Sequence, residues 1–574
     1  MTVGTVNPAG PVDPASPAGT AGTAAAWAEA ATPPTSCDVL VVGGGINGAG
    51  IARDLAGRGF SVVLAEASDF AAHTSSSSTK LIHGGLRYLE YYEFSLVRKA
   101  LQEREVLLRS APHIMWPLRF VMPHDAAMRP AWMIRIGLFL YDHLARREVL
   151  PGSTGVNLRQ SPLGQPLKAQ YSRGFVYSDG WVDDARLVLL NAMDARDKGA
   201  SLHTRTTVVA ARRHADHWIA TLRGPQGEWR VRARALVNAA GPWAESFLRE
   251  HAQAAGTEAL ATKSLRLVKG SHIVVKRVFQ HDHAYIFQNP DKRIIFAIPY
   301  ENEFTLIGTT DVELPADALA GFGKASINEQ EIAYLCEQAS RYFDKPVTPS
   351  DVLWTYAGVR PLLDDASGDP SAVTRDYLLE THAAGGAPLL SVWGGKITTF
   401  RKLAEDAADL VGDLLNERRP AWTEKAHLPG GDLSEWIGAP QRPDTDFERL
   451  LTALGQRHGW LPPALARRLA RAYGGRVGRV LGGAEKLQDL GPEIAPGLHE
   501  AELRYLVREE WARSADDVLW RRSKLGLHYT EAQRAAVANW FQQLASDAPS
   551  SPSSPPFPPS FPDNNHMQRD RSWS

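Results

Sequence analysis

Cysteine is almost missing: 574 residues carry only Cys37 and Cys336, far apart and in no C-x-x-C pair. That scarcity excludes a disulfide framework and a thiol redox centre, and it fits a reducing cytosolic location with both thiols buried and inert. Neither cysteine belongs to a cluster of metal ligands, so no metal is expected. Net charge is nearly absent too. Basic residues number 63 and acidic residues 64, which leaves no basic field to hold nucleic acid and no simple electrostatic pull toward anionic lipid. No apolar run approaches the roughly eighteen residues a membrane-spanning helix needs.

What remains is an ordinary globular composition, 44% hydrophobic and 22% charged, over a length that suits about two to four domains. Residues 1–36 are rich in alanine, proline, glycine and threonine and lack a basic start followed by an apolar run. They read as a disordered extension, not a signal peptide. The proline-serine stretch over 546–574 reads as a disordered tail.

Order starts at "CDVLVVGGGINGAGIARDLAGRGFSVVLAE". Val39–Val42 is a buried-strand run, a helical stretch follows to about Gly57 or Gly59, and Ser61–Ala65 forms a second strand ending on Glu66. Gly43, Gly45 and Gly48 make a G-x-G-x-x-G between strand and helix. The first glycine permits the tight turn, the second lets backbone approach a pyrophosphate, and the third lets the helix pack close. The helix start offers unpaired N–H groups and a positive dipole end to phosphates. Glu66 stands 18 residues beyond Gly48, where a carboxylate can accept from ribose hydroxyls. There is no second such pattern and no redox cysteine pair, which argues against an enzyme holding both flavin and nicotinamide. The long interruption before the sheet resumes suits an extended FAD.

Further along, "FSLVRKALQEREVLLRSAP" is a charged helix. Residues Trp132–Arg147, "WMIRIGLFLYDHLARR", are apolar almost all round; a core helix is expected, with a membrane-interface element as the alternative. Asp184–Lys198 is an amphipathic helix closed by Gly199. Alternation in "TRTTVVAARR", "HWIATL" and "EWRVRA" predicts antiparallel strands leading into "ALVNAAGPW". Runs between about Leu265 and Trp354 predict a second, largely antiparallel sheet. A strand-turn-helix unit returns at "PLLSVWGGKITTFRKLAE", and beyond about Arg419 the texture is helical, with a capping-box pattern of Ser514 and Asp517. The expected architecture is α/β plus α. A Rossmann-type FAD-binding domain (37–110, 175–262, 355–415) is interrupted by an antiparallel-sheet substrate domain (111–174, 263–354). A helical C-terminal domain (420–545) follows.

One segment reads two ways. The serines of "HTSSSSTKLIHGGLRYLE" look like a solvated linker, yet they run at once into residues with specific donors. Together with "GGGINGAGIARDLAGRG", "YSDGWVDDARLVLLNA", "KGSHIVV", "IGTTDVE", "GVRPLLDD", "TRDY", "GGKITTFRKLAE" and "DVLWRRSKLGL", this segment resembles the FAD-dependent sn-glycerol-3-phosphate dehydrogenases, which belong to the D-amino-acid-oxidase-like flavoproteins. The likeness spans about residues 37 to 540. It implies oxidation of glycerol 3-phosphate to dihydroxyacetone phosphate, hydride passing from C2 to flavin N5 and electrons passing to a membrane quinone. It also implies a cytoplasmic enzyme docked peripherally on the inner face of the cell membrane, with a homodimer as a further possibility. An oxidase that uses oxygen and a non-catalytic flavin-binding protein are the rival readings.

The resemblance also assigns residues. Arg360 and Arg375 match phosphate-binding positions, a task suited to arginine's planar fork. His272 is the candidate base for the C2 hydroxyl, with a reference pKa near 6.5. Lys396 is the competing base or a cation for reduced flavin. Arg87 and Tyr88 match the flavin-substrate junction. The FAD contacts are expected from Gly43, Gly45, Asn47, Gly48, Glu66, Thr74, Ser75, Ser78, Lys80, Gly241, Gly395, Lys396 and Thr398. Gly394 and Gly395 would let backbone N–H groups approach the isoalloxazine edge.

Overall fold

The computed structural model describes residues 33–546 except 126–128, 254–259, 261, 292, 316 and 365–375. The expected N-terminal extension and tail, and Arg375, therefore lie almost wholly outside the described residues. Strand β1 (Ser36–Val42) pairs in parallel with β2 (Val62–Ala65) on one side and with the strand Gly227–Asn238 on the other. Gly227–Asn238 in turn pairs in parallel with Leu389–Gly394. The sheet heart thus joins segments separated by more than half the chain. Its strands are apolar on both faces because both are covered: Val39 and Val41 enter one buried cluster and Leu40 and Val42 the opposite one. The covering layer on the first face is α1 (Ile46–Gly57), the C-terminal end of α2 (Phe94–Ser110), α4 (Asp184–Asp197) and the helix Phe400–Leu414. Gly59 (φ +86°) and Gly199 (φ +95°) follow α1 and α4 in the left-handed conformation that ends a helix. The alternating runs at 207–213, 218–224 and 227–238 form the expected antiparallel meander at this sheet's edge.

A second sheet, ten-stranded among the described residues, holds the strands predicted between 265 and 354. Leu265–Lys276 lies between Phe304–Gly308 and Val352–Leu363, antiparallel to both. The expected domain boundaries at 175 and 355 fall inside two of this sheet's strands, Arg173–Val182 and Val352–Leu363. Alternation announces a strand but not its partner, and these two strands pair with Met115–His124 and Leu265–Lys276 rather than with the first sheet. The C-terminal helices, among them Pro443–Arg457, Pro463–Tyr473, Glu500–Glu509 and Glu531–Ser546, enclose a core of their own. Ser514 and Asp517 exchange side-chain-to-backbone hydrogen bonds (3.3 and 3.0 Å) as the capping box requires. The turn they open, Asp517–Arg522, is wound as a wide π-helix.

The helix expected in the core is a correction. Helix α3 (Ala131–His143) buries only Leu138 and Tyr141. Trp132, Ile136 and Phe139 are 64%, 50% and 56% exposed, and Met133 and Leu140 share the same open face. An all-round apolar composition cannot say which face finds a neighbour, and here one face finds none among the described residues.

Candidate cofactor and substrate site

The glycine turn is built around close backbone approaches. Gly43 has φ +104°, and a Cβ there would stand 2.5 Å from the Ala239 carbonyl oxygen. A Cβ on Gly48 would stand 1.9 Å from the Gly43 oxygen, so α1 lies against the turn only because residue 48 has no side chain. Gly45 precedes the helix, and the first helical amide, that of Ile46, donates to Ser75 Oγ at 3.0 Å. Glu66 is buried at the end of β2, where it accepts from the Gly44 and Ser68 amides at 2.6 and 2.7 Å. Burial pushes its carboxyl pKa up, against the pull of those two amides.

Beside this turn lies a cavity of about 620 Å³. Gly43, Gly45, Asn47 and Glu66 form one wall, and Thr74, Ser75, Gly241 and Gly395 contribute from other segments. Asn47 donates through Nδ2 to the Gly394 carbonyl at 3.1 Å, tying the start of α1 to the second glycine turn. Its Oδ1 is buried without a partner among the described residues, an acceptor left for a ligand's donor. A glycine cradle, a helix start and an orphaned acceptor along one cavity of this size fit FAD. Gly48 supports the cradle from behind, packed on Gly43.

The four serines divide their labour. Ser75 faces the large cavity, whereas Ser76 and Ser77 line a second one of about 320 Å³, shared with Tyr356, Gly358, Trp520 and Arg521. Ser78 gives both its amide and its hydroxyl to Asp184 Oδ2, at 3.1 and 2.7 Å. Lys80 Nζ reaches Asp184 Oδ1 at 2.8 Å and the Ser76 carbonyl at 3.1 Å, fully buried. Ser78 and Lys80 line neither cavity; they fasten the segment to the start of α4. Asp184 went unnoticed in the sequence because only its helix-starting context shows there, not its contact with residues about a hundred positions earlier.

Downstream, the same segment links three other elements. Thr79 Oγ1 lies 3.0 Å from His272 Nε2, the His83 amide donates to Thr398 Oγ1 at 3.1 Å, and the Tyr88 ring lies 3.8 Å beneath Lys396 Nζ. Arg87 turns outward, with Nη2 3.3 Å from the Tyr91 hydroxyl. His272 stacks on Tyr356 with centroids 4.6 Å apart. A Cβ on the facing Gly308 would come within 2.1 Å of the imidazole. His272 is 1% exposed, and its Nδ1 is buried with no hydrogen-bond partner among the described residues. Burial, reinforced by the positive charges of Lys80 and Arg360, holds its pKa well below the usual histidine range, so the ring is neutral at pH 7. Arg360 stands on the neighbouring strand, in register with Val268, and its guanidinium pairs with Asp311. It lies over Gly270, where a Cβ would be 2.6 Å from Nη2. Neither of the two cavities is lined by His272, Arg360 or Lys396. Thr79, Tyr356 and Asp311 were not singled out from the sequence; Thr79 and Asp311 reach strand residues from loops and Tyr356 pairs with His272 across two strands, contacts that only the fold creates.

Comparison with known proteins agrees with this geometry. Residues 38–401 match the FAD dependent oxidoreductase family, and residues 421–549 match the C-terminal domain of alpha-glycerophosphate oxidase. The chain is 52% identical to glycerol-3-phosphate dehydrogenase of Pseudomonas aeruginosa over 510 residues, covering 88% of this chain and 95% of that one. It is 51% identical to D-erythritol 1-phosphate dehydrogenase of Brucella abortus, with 88% and 98% covered. Identity to the aerobic glycerol-3-phosphate dehydrogenase of Escherichia coli is 49%, with 88% and 97% covered. Among solved structures, the FAD complex of glycerol-3-phosphate dehydrogenase from Bacillus halodurans superposes with a TM-score of 0.66 at 26% identity, covering 90% of this chain and 95% of that chain. With its cofactor cradle, its second sheet and its helical C-terminal domain all matched, the chain belongs to the FAD-dependent glycerol-3-phosphate dehydrogenase family.

Proposed function

We propose that the protein oxidises sn-glycerol 3-phosphate to dihydroxyacetone phosphate and delivers the electrons to a membrane quinone. The observation that carries this reading is a neutral, buried histidine and a partly open arginine on adjacent strands, with the 79–88 segment tying that histidine to the second glycine turn. Bound FAD supplies the two-electron oxidant that accepts hydride from C2. Arg360 exchanges Asp311 for the substrate phosphate, which its planar fork meets with two donors. In the tautomer that carries its hydrogen on Nε2, shared with Thr79 Oγ1, His272 keeps the lone pair of Nδ1 to take the C2 hydroxyl proton. Stacking on Tyr356 and the contact with Gly308 fix the plane of the ring. Lys396, held over Tyr88 and next to the cavity-lining Gly395, would supply a cation for the negative charge that develops on the reduced cofactor. Arg375, outside the described residues, enters this reading through the family resemblance alone, as a second phosphate cation.

The Brucella abortus relative is named for a four-carbon phosphate, which makes D-erythritol 1-phosphate the second reading. Anaerobic addition of each substrate to the purified flavoprotein separates the two. Glycerol 3-phosphate is expected to bleach the flavin absorbance within the mixing time of a manual titration. Bleaching by D-erythritol 1-phosphate alone would move the assignment to the longer substrate, and bleaching by neither would remove both. Reoxidation by a soluble quinone, and not at a comparable rate by oxygen, distinguishes the dehydrogenase from an oxidase.

Membrane docking belongs to the open face of α3. Trp132, Met133, Ile136, Phe139 and Leu140 recur at one helical stripe, and exposed Tyr91, Tyr92 and Phe94 stand in the segment that packs beside it. No helix among the described residues is long and apolar enough to cross a membrane. A stripe of this kind suits a helix lying in the bilayer surface. The double variant Ile136→Asp/Phe139→Asp is expected to lower vesicle-bound protein at least about tenfold while activity with a soluble acceptor persists. Unchanged cosedimentation would clear this face of the role, and a dimer dissociated by the variant would give it to a second copy of the chain.

A further inference from the structure

The loop after β2 is held from two sides. Toward the large cavity it presents Glu66, Ala67, Ala71 and Ala72, whereas Asp69 turns the other way, into the helical domain. There Arg522 spans the Asp69 carboxylate, with Nη2 3.0 Å from Oδ1 and Nη1 on Oδ2, and Arg521 Nε meets Oδ2 at 2.7 Å. The next residue, Phe70, packs edge-on against Trp511 with centroids 5.1 Å apart. Its other side faces Gly44, where a Cβ would stand 2.9 Å from the ring. Arg205 closes the arrangement: its amide donates to the Ser68 carbonyl at 2.6 Å, and its guanidinium meets Asp517 at 2.6 Å. The glycine turn, the Glu66–Phe70 loop and the helical domain therefore form one continuous stack. No described residue beyond Gly395 lines the large cavity.

We propose that Asp69, gripped by Arg521 and Arg522, is a positioning residue for FAD retention, through which the helical domain sets the cofactor affinity of a cavity it does not line. The reason is electrostatic and mechanical together. Asp69 and Asp517 are the carboxylates facing four guanidinium groups, those of Arg205, Arg513, Arg521 and Arg522. Removing one carboxylate leaves the guanidinium groups opposing one another in a buried junction, and the domain backs away from the loop. Glu66 and Phe70 then lose the support that keeps them against Gly44. The inference rests on the FAD assignment, and the experiment tests the two separately.

FAD binding to deflavinated protein, followed by quenching of flavin fluorescence, is the readout. Asp69→Asn is expected to weaken binding at least about tenfold, mainly through faster release, while the glycerol 3-phosphate KM of flavin-saturated enzyme stays unchanged. Asp69→Glu, which restores the charge, is expected to recover most of the affinity. Arg471→Met is the comparison. Arg471 crosses the same junction elsewhere, donating to the carbonyls of Pro112 and His113 at 3.3 and 3.4 Å. Its loss is expected to lower thermal stability and leave FAD affinity within about threefold. Wild-type affinity in Asp69→Asn, or equal weakening in Arg471→Met, would overturn the proposal. Failure of the unaltered protein to bind FAD would overturn both the proposal and the cofactor assignment.

Discussion

Gly48→Ala is expected to leave the protein without bound FAD. The added methyl would stand 1.9 Å from the Gly43 carbonyl oxygen and 3.0 Å from its carbon, both backbone atoms of the turn itself. Nothing flexible is available to give way. The helix cannot retreat freely either, because α1 packs against α4 and the helix Phe400–Leu414, where Gly50 already lies as close to Phe400 as a glycine allows. Overpacking of this kind costs about 1–3 kcal/mol in the fold, and it moves Gly45 and Asn47 away from Gly43 across the cradle. FAD affinity is expected to fall at least ~100-fold, or ~2.7 kcal/mol, with turnover falling in step. Flavin absorbance of the purified protein, with circular dichroism to confirm the fold, checks it. A stoichiometric flavin content at wild-type affinity would mean that the turn does not bear on the cofactor.

Arg360→Ala carries the second large effect. A guanidinium that meets phosphate with two charge-assisted bonds contributes roughly 1.5–3 kcal/mol per bond, so kcat/KM is expected to fall by about 10³, or ~4 kcal/mol. Most of the loss belongs in KM, since the phosphate is bound equally in ground and transition states. Arg360→Lys is expected to recover only part, because an ammonium lacks the fork. The variant also strips Asp311 of its partner, so Asp311→Asn is the control: it frees the guanidinium and is expected to leave KM equal or lower. Steady-state kinetics with glycerol 3-phosphate decide it. An unchanged KM and kcat in Arg360→Ala would remove this residue from the site.

The dinucleotide unit was legible residue by residue because its signals are local: an apolar run, three glycines at fixed spacing, a helix, and an acid at the next strand's end. The structure places β1, α1 and β2 where those signals stand. The meander at 207–238 was equally readable from period-two alternation. What sequence could not give was pairing across distance. Arg173–Val182 and Val352–Leu363 look like any strands, and only their partners put them in the second sheet. Ser78 and Lys80 stand among residues that line cavities, yet their partner is Asp184 on another element. The misplaced helix α3 has the same origin, since apolar residues all round a helix do not reveal which face the fold will cover.

The parallel strands β1, Gly227–Asn238 and Leu389–Gly394, and the Asp69 grip of Arg521 and Arg522, set a timetable for biosynthesis. The ribosome delivers the first glycine of the cradle long before the strand and the arginines that complete its surroundings. At about 5–20 residues per second, the roughly 480 residues between Gly43 and Arg522 take on the order of half a minute to a minute and a half. Through that interval the nascent chain carries an unfinished sheet with an open edge, a natural client for chaperones. Cofactor loading therefore waits at least for the strand Leu389–Gly394 and its glycine turn, the last described segment that lines the cavity.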